Sequence, residues 1–166
     1  MHVTFLVVPG HGHINPTLGV VAELVKRGHR VTYPVPEMFV DAIQAAGAEP
    51  VIYESPLNQT WDPRKQFTGS VYASLQLGLL EEALVMLPVL EKYLAGESPD
   101  LISYDRLVPY AARVLGHVWN RPLVATSPTL APTEQLSLVG EFRNQGVMAP
   151  ASNDPCVVHR SEAFAG

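Results

Sequence analysis

Apolar positions along this chain alternate between two patterns, short near-continuous runs and stretches spaced by three and four. Val3–Val8 is a run rich in β-branched residues, as expected of a strand buried on both faces. An amphipathic helix is predicted to follow: Asn15 is a favoured N-cap and Pro16 suits a first helical position. Leu18, Val21, Leu24 and Val25 then keep helical spacing, and Lys26-Arg27-Gly28 supplies a cationic last turn and a stop. The same alternation predicts a strand at Arg30–Val35, a helix at Pro36–Ala46 ended by Gly47, and a short strand at Val51–Tyr53. Glu54–Gly69 has few periodic apolar positions and reads as a long loop carrying Trp61 and Phe67. Ser70–Leu94 is helical in spacing, with Pro88 expected to kink or divide it. A strand at Asp100–Tyr104, a helix at Val108–Trp119 and a strand at Pro122–Thr126 complete the pattern. Five strands alternating with helices imply an α/β, Rossmann-like, doubly wound parallel sheet with right-handed crossovers.

Residues 131–166 fit this scheme poorly, since 146–155 is crowded with Gly, Pro, Ala, Ser and Asn. The expected organisation is a Rossmann-like domain over 1–130 and a poorly structured or divergent tail over 131–166. The sheet thus reads as incomplete. An incomplete sheet leaves an edge and an apolar face uncovered.

Composition narrows the class without naming it. The chain has 166 residues, of which 47% are hydrophobic and 16% charged, enough for one substantial core. A net charge of −5 with scattered Lys and Arg disfavours nucleic-acid partners. Cys156 is the only cysteine, which excludes an internal disulfide and a Cys-based zinc cluster and suits a reducing cytoplasm. The amino-terminal apolar run is far shorter than the ~20 residues of a membrane span, so no membrane span is expected and the protein reads as cytoplasmic.

The chemistry concentrates in Pro9-Gly10-His11-Gly12-His13-Ile14-Asn15-Pro16, which joins the first strand to its helix. In a doubly wound sheet ordered 3-2-1-4-5, strands one and four are neighbours, and their carboxyl ends flank the crevice where such sheets bind ligands. That topology brings an imidazole of His11 or His13 toward Asp105, which directly follows the fourth strand. A carboxylate behind a histidine fixes its tautomer and supports it as a general base. Other readings stay open at this point. The histidines also suit a plain surface or capping role, and Asp105 suits a helix N-cap. Gly10 and Gly12 match two glycines of a dinucleotide fingerprint, but Asn15 stands where the third belongs. No metal-ligand spacing appears, so no metal is expected.

Several segments are similar to one known family. Gly10-His11-Gly12-His13-Ile14-Asn15-Pro16-Thr17-Leu18, Leu24-Val25-Lys26-Arg27-Gly28-His29-Arg30-Val31-Thr32-Tyr33, Ala46-Gly47-Ala48-Glu49-Pro50, Pro99-Asp100-Leu101-Ile102-Ser103-Tyr104-Asp105 and 122–130 occur in order. Together they resemble the amino-terminal, acceptor-binding half of GT-B family 1 glycosyltransferases, particularly the macrolide and antibiotic enzymes. The resemblance implies an inverting transfer of sugar from a UDP- or TDP-linked nucleotide-sugar, a co-substrate rather than a cofactor, to a hydroxyl of a macrolide, polyketide or phenolic acceptor. It assigns His13 as base and Asp105 as its support, with Gly10, His11, Gly12 and Asn15 shaping the loop. Trp61, Phe67, Tyr72, Leu75, Met86 and Ser127 become candidates for the acceptor pocket. No segment resembles the family's carboxy-terminal nucleotide-sugar domain, so the isolated chain is expected to bind acceptor weakly and transfer no sugar. The alternative is a non-catalytic small-molecule-binding or partner-pairing half-domain. Self-association through the uncovered edge is expected and is checked by size-exclusion chromatography, in which a clean monomer at high concentration would contradict it.

Overall fold

The computed structural model describes residues 1–57, 69–128 and 156–158. Its elements run β1 (His2–Leu6), α1 (His11–Lys26), β2 (Arg30–Val35), a 3-10 turn (Glu37–Phe39), α2 (Val40–Ala45), β3 (Glu49–Ile52), α3 (Gly69–Leu94), β4 (Leu101–Asp105), α4 (Pro109–Trp119), β5 (Leu123–Ser127) and β6 (Cys156–Val158). The strands pair in the order β3-β2-β1-β4-β5-β6, all parallel. The doubly wound order expected from the sequence is therefore present, with one strand more. β6 pairs Val158 with Ser127 at the end of β5. Three residues after a Pro- and Gly-rich stretch are too few for periodicity to reveal.

Alternation along each strand sends side chains to two separate cores. Val3, Phe5 and Val7 pack with Val31, Tyr33 and Val35 beneath Ile14 and Val21 of α1 and Ile43 of α2. Phe5 and Tyr33 stack there at a centroid distance of 5.6 Å and 7° between planes. Leu6, Val51, Ile102, Tyr104 and Ala125 share the other core with Ala83, Met86, Leu90 and Leu94 of α3 and Ala111, Ala112 and Leu115 of α4. Fully burying one such aliphatic side chain stabilises by about 1.5–3 kcal/mol, so both layers are held mainly by these faces. At the amino-terminal edge of the sheet, Arg30 bonds Glu49 and Glu97, and the His2 amide donates to Asp100 at 2.7 Å.

Two helices differ from expectation. α1 begins at His11, not after Asn15, because the extended Gly10 caps it: its carbonyl accepts the amides of His13 and Ile14, both at 2.9 Å. Asn15 is an exposed residue inside the helix, and Pro16 costs one main-chain bond near an exposed end. α3 runs through Pro88 uninterrupted, with the proline on its exposed side. Ala73–Leu94 is apolar and long enough to cross a membrane by composition, at mean hydropathy 1.5. Here it is a crossover helix whose Leu79, Ala83, Met86, Leu90 and Leu94 are buried.

Gly47 follows the short α2 at φ +84°, and a Cβ there would stand 2.8 Å from Cγ1 of Val25 on α1. Gly28 has a similar φ of +80° but open space around it. Gly28→Ala should therefore cost only the left-handed strain, about 1–2 kcal/mol. Gly47→Ala should cost that plus about 1–3 kcal/mol of overpacking. Urea unfolding of the two variants measures the difference, and equal losses would contradict the α1–α2 contact.

Candidate active site at the carboxyl edge of β1 and β4

Parallel register sets Leu6 opposite Tyr104, so the chain leaves β1 beside Asp105, the last residue of β4. After β1 the chain turns over Pro9, and the Gly10 amide donates to the Val8 carbonyl at 2.8 Å. His13 then falls in the first turn of α1, where helix geometry tilts side chains back toward the amino terminus and onto the strand ends. Its Nδ1 lies 2.5 Å from Oδ2 of Asp105, although the two residues are 92 positions apart. The other carboxylate oxygen accepts the Leu107 amide at 2.9 Å, and the Asp105 carbonyl accepts the Val108 amide at 2.9 Å. Asp105 is thereby held from three sides.

Burial is unequal across the pair. The Asp105 side chain is 2% exposed and that of His13 25%. A carboxylate has no proton to donate, so Nδ1 carries the hydrogen of this bond and Nε2 keeps its lone pair. Taking a proton at Nε2 creates an imidazolium whose charge the buried carboxylate offsets at contact distance. The arrangement suits general-base chemistry at an edge open to solvent. Among the described residues, no three His, Cys, Asp or Glu side chains gather to hold a metal ion.

Supporting contacts fix the helix that carries His13. The Thr17 hydroxyl donates to the Ile14 carbonyl at 2.8 Å, so the Tyr33 phenol, 2.9 Å away, donates to Thr17. Burial, with Asp105 adding its charge, pushes the Tyr33 phenol up against the lowering effect of Thr17. It remains a neutral donor bolting α1 to β2. His11 is exposed and makes an edge contact with Phe39 at 4.9 Å, away from Asp105. Of the two candidate histidines, the structure pairs His13.

The remaining candidates divide. Ser127 ends β5 at the same carboxyl edge and is buried. Leu75 is half-buried against Leu57, Leu79 and Val108. Met86 is not at the surface of a pocket: it is 3% exposed and packs in the core with Leu6 and Tyr104, because it lies on the sheet-facing side of α3. Tyr72 lies in α3 where only the backbone is described, and Trp61 and Phe67 lie outside the described residues. Gly10 is extended and Gly12 helical, and neither has a positive φ, so their contribution to the loop is small size.

One buried group was not singled out from the sequence. Glu82 is 1% exposed and accepts hydrogen bonds from the Tyr53 phenol, the Ser55 hydroxyl at 2.8 Å and the Leu57 amide at 3.4 Å. Its signal was legible, since Glu82 falls between Leu79 and Met86 on the apolar face of a helix. Burial pushes its carboxyl above the usual value of 4.5, against the lowering effect of the three donors.

The chain is 40% identical over 129 residues to oleandomycin glycosyltransferase of Streptomyces antibioticus, covering 78% of this chain and 30% of that protein. It is 37% identical over 140 residues to the NDP-glycosyltransferase YjiC of Bacillus subtilis strain 168, covering 84% and 35%. Among solved structures, the calicheamicin glycosyltransferase CalG4 superposes with a TM-score of 0.74 at 36% identity, over 89% of this chain and 38% of that one. In sequence and fold the chain is similar to one part of these GT-B glycosyltransferases. The chain spans about a third of the length of these relatives. No protein-family model matches the sequence.

The raised carboxyl of Glu82 has a defined effect on stability. The folded state holds this proton more tightly than the unfolded chain, so the contribution is full below 4.5 and is lost as pH rises through the raised value. Glu82→Gln keeps the volume and an acceptor oxygen for Ser55 and Leu57 without the ionisation. Its stability relative to the wild type should rise with pH across that window, as read from urea midpoints; a difference independent of pH would contradict the assignment.

Proposed function

We propose that this chain is the acceptor-binding half of an inverting glycosyltransferase that sugars a hydroxyl of a hydrophobic natural product. The observation that carries the reading is the bond between His13 and the buried Asp105 at a solvent-open sheet edge. The acceptor hydroxyl gives its proton to Nε2 of His13 while its oxygen attacks the anomeric carbon of the donor. The bond from that carbon to the diphosphate breaks, and the nucleoside diphosphate leaves with the electron pair. Attack opposite the leaving group inverts the centre. The donor is a UDP- or TDP-linked sugar, and the step needs neither metal nor cofactor from this chain.

The named activities of the relatives support this acceptor class: they include an oleandomycin glycosyltransferase and, at 32% identity, the demethyllactenocin mycarosyltransferase of Streptomyces fradiae. A macrolide, polyketide or phenolic hydroxyl is the expected acceptor. Donor binding belongs to sequence that these relatives carry beyond the matched third. A single cysteine accords with a cytoplasmic place of work.

The test compares the chain alone with a chimera carrying the remaining length of the Bacillus subtilis relative. The chain alone should bind acceptor and transfer no sugar, while the chimera should transfer. In the chimera, His13→Ala and Asp105→Asn should each lower kcat by about 10²–10⁴-fold with acceptor binding retained. Full transfer by His13→Ala would overturn the assigned base. Acceptor binding in an inactive chimera would favour the non-catalytic binding half-domain.

A further inference from the structure

We infer that Glu82 is a positioning residue for the His13–Asp105 pair, its buried carboxylate fixing Leu57 as a wedge between the two arms that carry these side chains. The catalytic meaning of this wedge rests on the glycosyltransferase reading, whereas its geometry is testable without it.

A carboxylate on the sheet-facing side of α3 is an expensive choice, because an apolar side chain of similar volume would fill the same place without losing hydration. What the charge provides is three hydrogen bonds to one short segment: the Tyr53 phenol, the Ser55 hydroxyl and the Leu57 amide. This segment leaves β3, and its main chain is tied to the sheet by the Tyr53 amide on the Val35 carbonyl at 3.2 Å. Glu82 therefore determines how the following residues cross toward the site.

Leu57 is the end of that path. It is 7% exposed and packs with Leu79 and Val108, with Val8 and Leu75 against the same cluster. Val8 and Val108 each help to tie down one arm of the site. The Val8 carbonyl accepts the amide of Gly10, which caps the helix of His13, and the Val108 amide donates to the carbonyl of Asp105. Leu57 thus shares one apolar cluster with a residue from the arm carrying the base and a residue from the arm carrying its support. Its position sets the separation across which Nδ1 meets Oδ2. Close-packed interiors transmit such displacements instead of absorbing them.

The readout is the tautomer of His13 in the 166-residue chain, followed by long-range proton–nitrogen correlation from the carbon-bound ring protons, which does not depend on amide-type exchange. In the wild type His13 should stand as a single Nδ1–H form, and Asp105→Ala should abolish that preference. Glu82→Leu leaves three donors without an acceptor and should also lose the single Nδ1–H form. Leu57→Ala keeps the carboxylate cluster, removes the wedge, and should give the same loss; it carries the test where Glu82→Leu does not fold. Glu82→Gln keeps an acceptor oxygen for Ser55 and Leu57, with its amide donating to the Tyr53 oxygen, and should retain the wild-type tautomer. A full Nδ1–H signal in Leu57→Ala or in folded Glu82→Leu would overturn the inference, as would an equal loss in Glu82→Gln. Because no sugar transfer is measured, a chain that passes these tests yet supports no transfer in the chimera removes the glycosyltransferase reading alone.

Discussion

Everything at the site depends on the parallel pairing of β1 with β4. These strands are distant in sequence, yet their register brings the exit from Leu6 beside the end of β4. From that edge the two connections diverge, one into α1 and one toward α4, and the gap between them is where an imidazole meets a carboxylate. In open α/β sheets this divergence creates a crevice whatever the side chains are. The residue types decide what the crevice does. Here a carboxylate with 2% exposure stands behind an imidazole with 25%, which orients the ring and leaves one nitrogen for a reactant.

Polar groups inside the two cores serve the same edge. The chain from the Tyr33 phenol through Thr17 to the Ile14 carbonyl fastens the first turns of α1 to β2, immediately beside His13. On the opposite face of the sheet, Glu82 fastens the exit of β3 to α3 and so holds Leu57 in the apolar cluster that also takes in Val8 and Val108. Each is a buried donor–acceptor set that an apolar core would not require. Both lie within one or two contacts of the loops that carry the site, which links the cost of burying polar groups to the precision of the pair.

Much of this is legible in the sequence. The alternation of apolar period placed β2 at its observed bounds and the other predicted strands within a residue or two, because parallel strands buried on both faces read as short apolar runs. Strand order followed from the doubly wound pattern, and with it the meeting of the Gly10–His13 loop with Asp105. The start of α1 was misplaced because Asn15-Pro16 is a strong local signal for a helix beginning, whereas the capping carbonyl of Gly10 depends on the turn before it. Met86 carried the same apolar signal as a pocket residue and as a core residue, and only its facing on α3 separated the two.

The sequence by itself determined the order of elements, the place of the crevice and the residue types available there, since these follow from local periodicity and from the handedness of crossovers. Topology from sequence left His11 and His13 as alternatives, and the family resemblance favoured His13. Tertiary structure decided the rest: it turned His11 toward Phe39, His13 toward Asp105, and Glu82 toward the exit of β3. Those outcomes depend on angles between packed elements and on which donors remain unsatisfied once water is excluded, and neither quantity is written in the spacing of residues along a chain.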